Sequence, residues 1–187
     1  MKHEKLREFL NPDAMKRLCR DYVLEHEDLT ILSWDYVIEH GRDWDNEDSI
    51  DWDSYGYRVC DITDDGEIPI TGLLYQLYAD NSLWWYGYYI DGLCTGPDVT
   101  FFPSGELRQY GGYEWYETGQ IKSYSVILKN AGVWESYEWY ETGEIKVYKS
   151  CYRRGYCMKC TEYDQAGNIT KCIDRTKKAS AQLYRGE

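Results

Sequence analysis

Tyr113-Glu114-Trp115-Tyr116-Glu117-Thr118-Gly119-Gln120-Ile121-Lys122-Ser123-Tyr124 returns 24 residues later as Tyr137-Glu138-Trp139-Tyr140-Glu141-Thr142-Gly143-Glu144-Ile145-Lys146-Val147-Tyr148, with two of the twelve positions changed. Identity this dense is an internal repeat. Each copy reads as a β-hairpin: aromatic residues lead in, a polar turn closes on Gly, and an Ile-Lys-x-Tyr alternation leads out. Gly119 and Gly143 suit such a turn because it needs one residue at positive φ, which Gly adopts freely and a β-branched residue does not.

The same grammar extends in both directions. Twenty-four residues beyond Gly143 lies Gly167, in Tyr163-Asp164-Gln165-Ala166-Gly167-Asn168-Ile169. A step of 14 back from Gly119 reaches Gly105, in Phe102-Pro103-Ser104-Gly105-Glu106-Leu107, and a further 24 reaches Asn81, in Tyr78-Ala79-Asp80-Asn81-Ser82-Leu83. Asn is able to take the left-handed conformation that Gly otherwise supplies. Five hairpin turns are therefore predicted, at 78–83, 102–107, 116–121, 140–145 and 163–169, with ten residues fewer between the second and third than the period requires. A period of roughly 20 to 50 residues marks an array in which each unit buries its apolar face against its neighbours. The predicted fold class is mainly β: β-hairpin repeats of period 24 forming an elongated twisted antiparallel sheet, with a short N-terminal helical segment.

Four segments follow from this pattern. Residues 1–41 read as a helical cap, 42–67 as an acidic lead-in, 68–173 as the hairpin repeats and 174–187 as a basic, flexible tail. In the cap, Asn11-Pro12-Asp13 is a helix start, with Asn as N-cap, Pro at the first helical position and Asp at the positive end of the dipole. Ala14, Leu18, Tyr22 and Val23 continue it at helical spacing to Glu25 or His26, and Glu4 to Leu10 suits a preceding short helix. A further helix is predicted from Ser33 as cap to Gly41 as terminator, although Tyr36-Val37-Ile38 would equally suit a strand. The segment is expected to cover one end of the array, because an open sheet edge invites aggregation.

Composition narrows the class. Among 187 residues the apolar content is carried largely by 20 Tyr and 8 Trp, rings suited to a half-exposed pleated sheet with wet polar tips. No apolar run approaches the roughly 18 residues of a membrane span. The first residues lack an apolar signal core, and seven cysteines without a regular framework suit a reducing compartment, so the expected location is cytoplasmic.

Charge is segregated along the chain. From Asp21 through Glu67 there are 16 carboxylates against Arg42 and Arg58, whereas Ile145 through Arg185 carries ten Lys or Arg and three acids. The total of −12 argues against nucleic acid as a partner. An acidic surface instead attracts a basic protein and speeds encounter. The candidate partner-binding residues are the carboxylates Asp43, Asp45, Glu47, Asp48, Asp51 and Asp53 with Trp44, Trp52 and Tyr55 as aromatic anchors. The competing structural reading is that these rings pack the first hairpin onto the helices.

Metal and catalytic readings find little support. An EF-hand loop from Asp61 would place Gly72 at its bidentate position, and one from Asp51 would place Ile62 there, so calcium coordination fails in both registers. Cys157-Met158-Lys159-Cys160, flanked by Cys151 and Cys172, is half of a zinc pattern without its second knuckle, and free thiols are the expectation. No nucleophile elbow, phosphate loop, zincin or dinucleotide motif is present, so the expectation is a protein with no enzymatic activity and no cofactor.

The motif Trp139-Tyr140-Glu141-Thr142-Gly143-Glu144-Ile145-Lys146, its twin at 115–122 and residues 102–107 resemble MORN-type repeats. The lead-in Gly66-Glu67-Ile68-Pro69-Ile70-Thr71-Gly72-Leu73-Leu74-Tyr75, together with the acidic stretch 51–57, is similar to that of bacterial MORN-repeat antitoxin and immunity proteins. The resemblance covers residues 50 to 173 and departs at Asn81, at the short spacing before the third turn and in the helical segment. It implies a non-catalytic binding module that neutralises a cognate toxin of basic surface by direct contact. A MORN-type scaffold at a protein or membrane surface, or a glycan-binding repeat protein, are the alternatives, and the oligomeric state is left open.

Overall fold

A computed structural model describes residues 15–128, 133–152 and 156–176, with side chains omitted at 127 and 128. The predicted helix at 4–10, the helix start at 11–13 and most of the tail lie outside the described residues. In chain order the elements are α1 (Arg20–His26), α2 (Trp34–His40), β1 (Gly41–Asp43), β2 (Ile50–Trp52), β3 (Val59–Thr63), β4 (Gly66–Pro69), β5 (Gly72–Leu77), β6 (Leu83–Ile90), β7 (Leu93–Cys94), β8 (Val99–Phe101), β9 (Leu107–Tyr110), β10 (Tyr113–Trp115), β11 (Ile121–Leu128), β12 (Val133–Trp139), β13 (Ile145–Tyr152), β14 (Cys157–Tyr163) and β15 (Ile169–Asp174). The fold is mainly β, dominated by antiparallel hairpins. Residues 28–111 form one compact unit, and 1–27 with 112–187 form a second, so both boundaries fall inside segments the sequence reads as continuous.

All five predicted turns are present and built alike. Asn81, Gly105, Gly119, Gly143 and Gly167 sit at φ of 65°, 83°, 83°, 99° and 81°. In the third turn the Tyr116 amide donates to the Gln120 carbonyl and the Gly119 amide donates back to Tyr116, both at 2.9 Å. The same two bonds recur in the other four turns. Each turn is preceded by a one-residue register shift, at 76/77, 100/101, 114/115, 138/139 and 162/163. This is the three-residue hairpin connection, a tight turn followed by a left-handed residue and a bulge.

Strands β10 to β15 run as an antiparallel meander. Side chains alternate faces along a strand, so the repeated Tyr-Glu-Trp sends its rings one way and its carboxylate the other. Tyr113 stacks on Trp115 with centroids 5.6 Å apart and meets Tyr124 across the strands at 5.0 Å. Tyr137 repeats this with Trp139 at 6.1 Å and Tyr148 at 5.2 Å. Trp115, Trp139, Ile121 and Ile145 are buried, while Ile169, their counterpart in the last hairpin, is exposed on β15. On the opposite face Glu114, Glu138 and Glu162, spaced by 24, pair with Lys122, Lys149 and Lys171 at 2.7, 3.4 and 2.7 Å.

The first tyrosine of a turn bonds the next repeat. Tyr116 donates its hydroxyl to the Trp139 carbonyl at 2.8 Å, and Tyr140 donates to Tyr163 at 2.9 Å. In the other unit Tyr78 donates to Phe101 at 2.9 Å. Phe102, at the same position of the second turn, has no hydroxyl to give.

One expectation for the helical segment changes and another is met. The helix expected to run through Leu18 to His26 is interrupted at Cys19, whose ψ of 144° is extended, and α1 starts afresh at Arg20. The Leu18 carbonyl accepts the Trp115 indole N–H at 2.7 Å, and the Arg20 amide donates to Gly119 at 2.9 Å, so the repeat takes backbone groups that a continuous helix would use. Second, Tyr36-Val37-Ile38 is helical: Ser33 Oγ accepts the Tyr36 amide at 3.3 Å and Gly41 ends α2. Gly41 has φ of −96°, so its lack of a side chain answers to space, since a Cβ would stand 2.6 Å from the Val37 carbonyl.

In the unit 28–111, β5 pairs antiparallel with β6 and, on its other edge, parallel with β1. Residues of the acidic lead-in, rather than the helices, therefore occupy that edge. Strands β2, β3 and β4 make a separate antiparallel sheet. Ile50, Val59, Ile70, Leu74 and Tyr89 form the core beneath it, with Trp44 and Trp85 packed against them.

Candidate binding surface

The acidic lead-in divides into residues that hold it together and residues that face solvent. Arg42, on β1, is the organising cation. Its guanidinium makes a two-pronged pair with Asp61 on β3, both contacts at 2.7 Å, and also engages Glu47, with Nε at 2.8 Å. Ser49 adds a hydroxyl to Asp61 at 2.9 Å. The Arg42 contact holds the Asp61 carboxyl below the usual carboxylate range, against the opposing effect of burial. Glu47 is thus a structural partner of Arg42.

Four more predicted residues serve the loop's own geometry. Asp43 accepts from the Asp45 amide at 3.1 Å and from the Asn46 side-chain amide. Asp45, itself exposed, accepts from Gln76 at 2.8 Å. Trp44 donates its amide to Tyr75 at 2.9 Å, and its ring packs between Trp52 at 6.0 Å and Trp85 at 6.2 Å. Asp53 closes the turn that follows β2: its carboxylate accepts the Tyr57 amide and its carbonyl accepts the Gly56 amide, at 2.7 and 2.8 Å. The amide bond from Tyr57 draws the Asp53 carboxyl down from its ordinary value.

That turn lifts two rings into water. Tyr55 is 80% exposed and Tyr57 is 75% exposed, with Trp52 half exposed beside them. Asp48 and Asp51 are exposed on the β2 side, and Asp64 and Asp65 on the β3–β4 turn, none in an ion pair among the described residues. Ile68 adds an exposed aliphatic group on β4. Of the nine predicted residues, Asp48, Asp51, Trp52 and Tyr55 belong to this presented surface. Tyr57 joins it, with Asp64, Asp65 and Ile68 exposed elsewhere in the same unit, and the signal for Tyr57 was available: Tyr55-Gly56-Tyr57 puts two rings on either side of a turn glycine at φ 70°. Residues 28–111 carry 17 carboxylates against three arginines, −14, while the rest of the chain sums to +2. The charge responsible for the acidity of the protein is thus confined to the unit that presents these rings.

A concavity in the same unit holds about 590 Å³ and is lined by Tyr36, His40, Tyr86, Tyr88 and Tyr110. Its floor is fixed by the segment before α2, where the Leu32 amide donates to the Tyr86 hydroxyl at 2.9 Å and the Thr30 amide to Tyr110 at 3.2 Å. His40 stacks on Tyr36 at 4.1 Å, an i, i+4 pair on one helix face. These residues come from three separate stretches of sequence, so no local pattern could have assembled them.

The cysteines do not converge as a four-thiolate site would require. Among the described residues no group of three or more His, Cys, Asp or Glu is placed to hold a metal ion. Cys172 stands opposite Thr161, the neighbour of Cys160, and so points to the other face of the sheet. Among the described residues no helix is long and apolar enough to cross a membrane. The chain matches no protein-family model, and no curated protein matches it at a significant level.

Proposed function

We propose that this protein is a non-catalytic binding module of MORN-repeat type, an antitoxin or immunity protein that neutralises a toxic protein by covering a basic surface. The observation that carries the reading is the exposure of Tyr55 and Tyr57, with Trp52, in the same unit that exposes the carboxylates Asp48, Asp51, Asp64 and Asp65. Large rings held on a short turn offer contact area at low conformational cost, and aromatic anchors dominate binding energy in protein interfaces. The surrounding carboxylates would steer a basic partner and set the rate of encounter. The Arg42 pairs and the Asp53 turn supply the rigidity that lets the rings be presented ready for contact.

Support for the repeat type comes from the five equivalent turns and their 24-residue spacing, together with the sequence grammar that they carry. The test is co-expression with a toxic domain encoded beside this chain. Growth should be restored by the native protein and lost with Tyr55→Ala/Tyr57→Ala. Asp48→Lys/Asp51→Lys should slow association about tenfold or more at low salt, with the difference shrinking as salt rises. Rescue that is indifferent to both changes would remove the acidic aromatic surface from the mechanism.

A further inference from the structure

Cys151 on β13 and Cys157 on β14 are direct cross-strand partners. The Tyr152 amide donates to the Tyr156 carbonyl at 3.0 Å, which makes Cys151 and Cys157 a non-hydrogen-bonded pair. In such pairs the Cα atoms approach to about 4.5 Å with side chains close together. That is inside the roughly 4.4–6.8 Å span that a disulfide requires. The Cys157 thiol donates to the Lys159 carbonyl at 3.1 Å, and both cysteines are free.

A register shift at Ser150/Cys151 leaves Met158 without a partner on β13 and brings Cys160 opposite Lys149, onto the face that Cys151 and Cys157 share. Cys160 is nevertheless out of reach of Cys157. Three residues of extended strand span about 9 Å, whereas disulfide formation fails beyond about 7 Å. The C-x-x-C spacing that attracts attention in the sequence is therefore not the reactive pair. The relevant partner of Cys157 lies across the strands.

We propose that Cys151 and Cys157 are a disulfide-forming site, oxidised by a low-molecular-weight disulfide. Cys157 is half-buried and meets the reagent first, whereas Cys151 is buried. Burial, with the Cys157 thiol alongside, raises the Cys151 thiol above its ordinary value, so Cys151 acts second. The Cys157 thiolate attacks one sulfur of the reagent, forms a mixed disulfide and expels one thiolate. Cys151 then gives its proton to solvent and attacks the Cys157 sulfur, expelling the second thiolate. Two protein thiols are oxidised by two electrons, and one reagent disulfide is reduced to two thiols. The product bond would staple β14, and with it β15, to β13.

The test uses the full chain carrying Cys94→Ser/Cys172→Ser, which removes the two exposed thiols and leaves five of seven. After treatment with oxidised glutathione, thiols titrated in denaturant should fall from five to three. Peptide mapping should find one cross-link, Cys151 to Cys157. Adding Cys160→Ser should leave that cross-link intact, and Cys151→Ser should trap glutathione on Cys157. A link through Cys160, or a glutathione adduct on Cys157 that never resolves while Cys151 is present, would overturn the assignment.

Discussion

The Tyr116 hydroxyl reaches the backbone carbonyl of Trp139 at 2.8 Å, and Trp139 ends the strand of the following repeat. A side chain from one turn thereby satisfies a main-chain group at the entrance to the next. Tyr116→Phe removes the donor without changing the ring, so the carbonyl loses this hydrogen bond and stability should fall by about 1 kcal/mol. Tyr140→Phe should do the same at Tyr163. Urea unfolding midpoints at constant slope would measure both, and unchanged midpoints would reduce the tyrosine link to a by-product of packing.

The turn residues should obey backbone conformation rather than space. At Gly143 an added Cβ would meet nothing nearer than Gln120 at 3.8 Å, yet φ is 99°. Gly143→Ala is expected to lose about 1–2 kcal/mol from the dihedral alone. Asn81→Gly, at φ of 65°, should be neutral within about 0.5 kcal/mol, because Gly accepts that conformation without strain. Thermal melts of the two variants give the comparison directly.

Trp44 and Tyr55, eleven residues apart in one acidic stretch, should respond oppositely to truncation. Trp44 packs on Trp85 and the core beneath β2 and β3, so Trp44→Ala should destabilise by about 3 kcal/mol or more. Tyr55 stands in water, and Tyr55→Ala should shift stability by no more than about 0.5 kcal/mol. A large loss for Tyr55→Ala in chemical denaturation would mean that the ring is structural and would weaken its role as an anchor.

The Arg42–Asp61 pair sets an acid-dependent contribution. The folded Asp61 carboxyl lies below its unfolded value, so its stabilisation is complete above the unfolded pKa of about 3.9 and is lost as pH falls through the folded one. Because these side chains are roughly a third exposed, solvent screening holds the effect to about 1 kcal/mol. Arg42→Gln should therefore be less stable than the native protein at neutral pH, with the gap closing as the medium is acidified below the carboxylate range. A gap independent of pH would assign the loss to packing of the arginine stem.

The five turns were legible because a left-handed residue leaves a local chemical mark, Gly or Asn at a fixed offset from a tyrosine or phenylalanine. The same holds for α2, whose cap Ser33 and terminator Gly41 lie within one short stretch. What escaped was decided by distant partners. Nothing near Cys19 announces that its helix must break, since the cause is an indole 97 residues along the chain bonding the Leu18 carbonyl. Nor does Gly41-Arg42-Asp43 look like a strand. It becomes one by parallel pairing with Leu73, Leu74 and Tyr75. The division of the acidic residues into structural and presented groups follows likewise from where Arg42 and Gln76 reach.

The twin repeats have a genetic as well as a mechanical consequence. Because 113–119 and 137–143 are identical, an excision of 24 residues between equivalent positions rejoins the chain without altering any turn sequence. It removes two strands at once, so up-and-down order and the assignment of faces survive the cut. A duplication would add two strands under the same rule. Length is therefore a coordinate along which this protein is free to vary in whole steps, by recombination between its own near-identical segments, while the acidic head that carries the rings stays untouched.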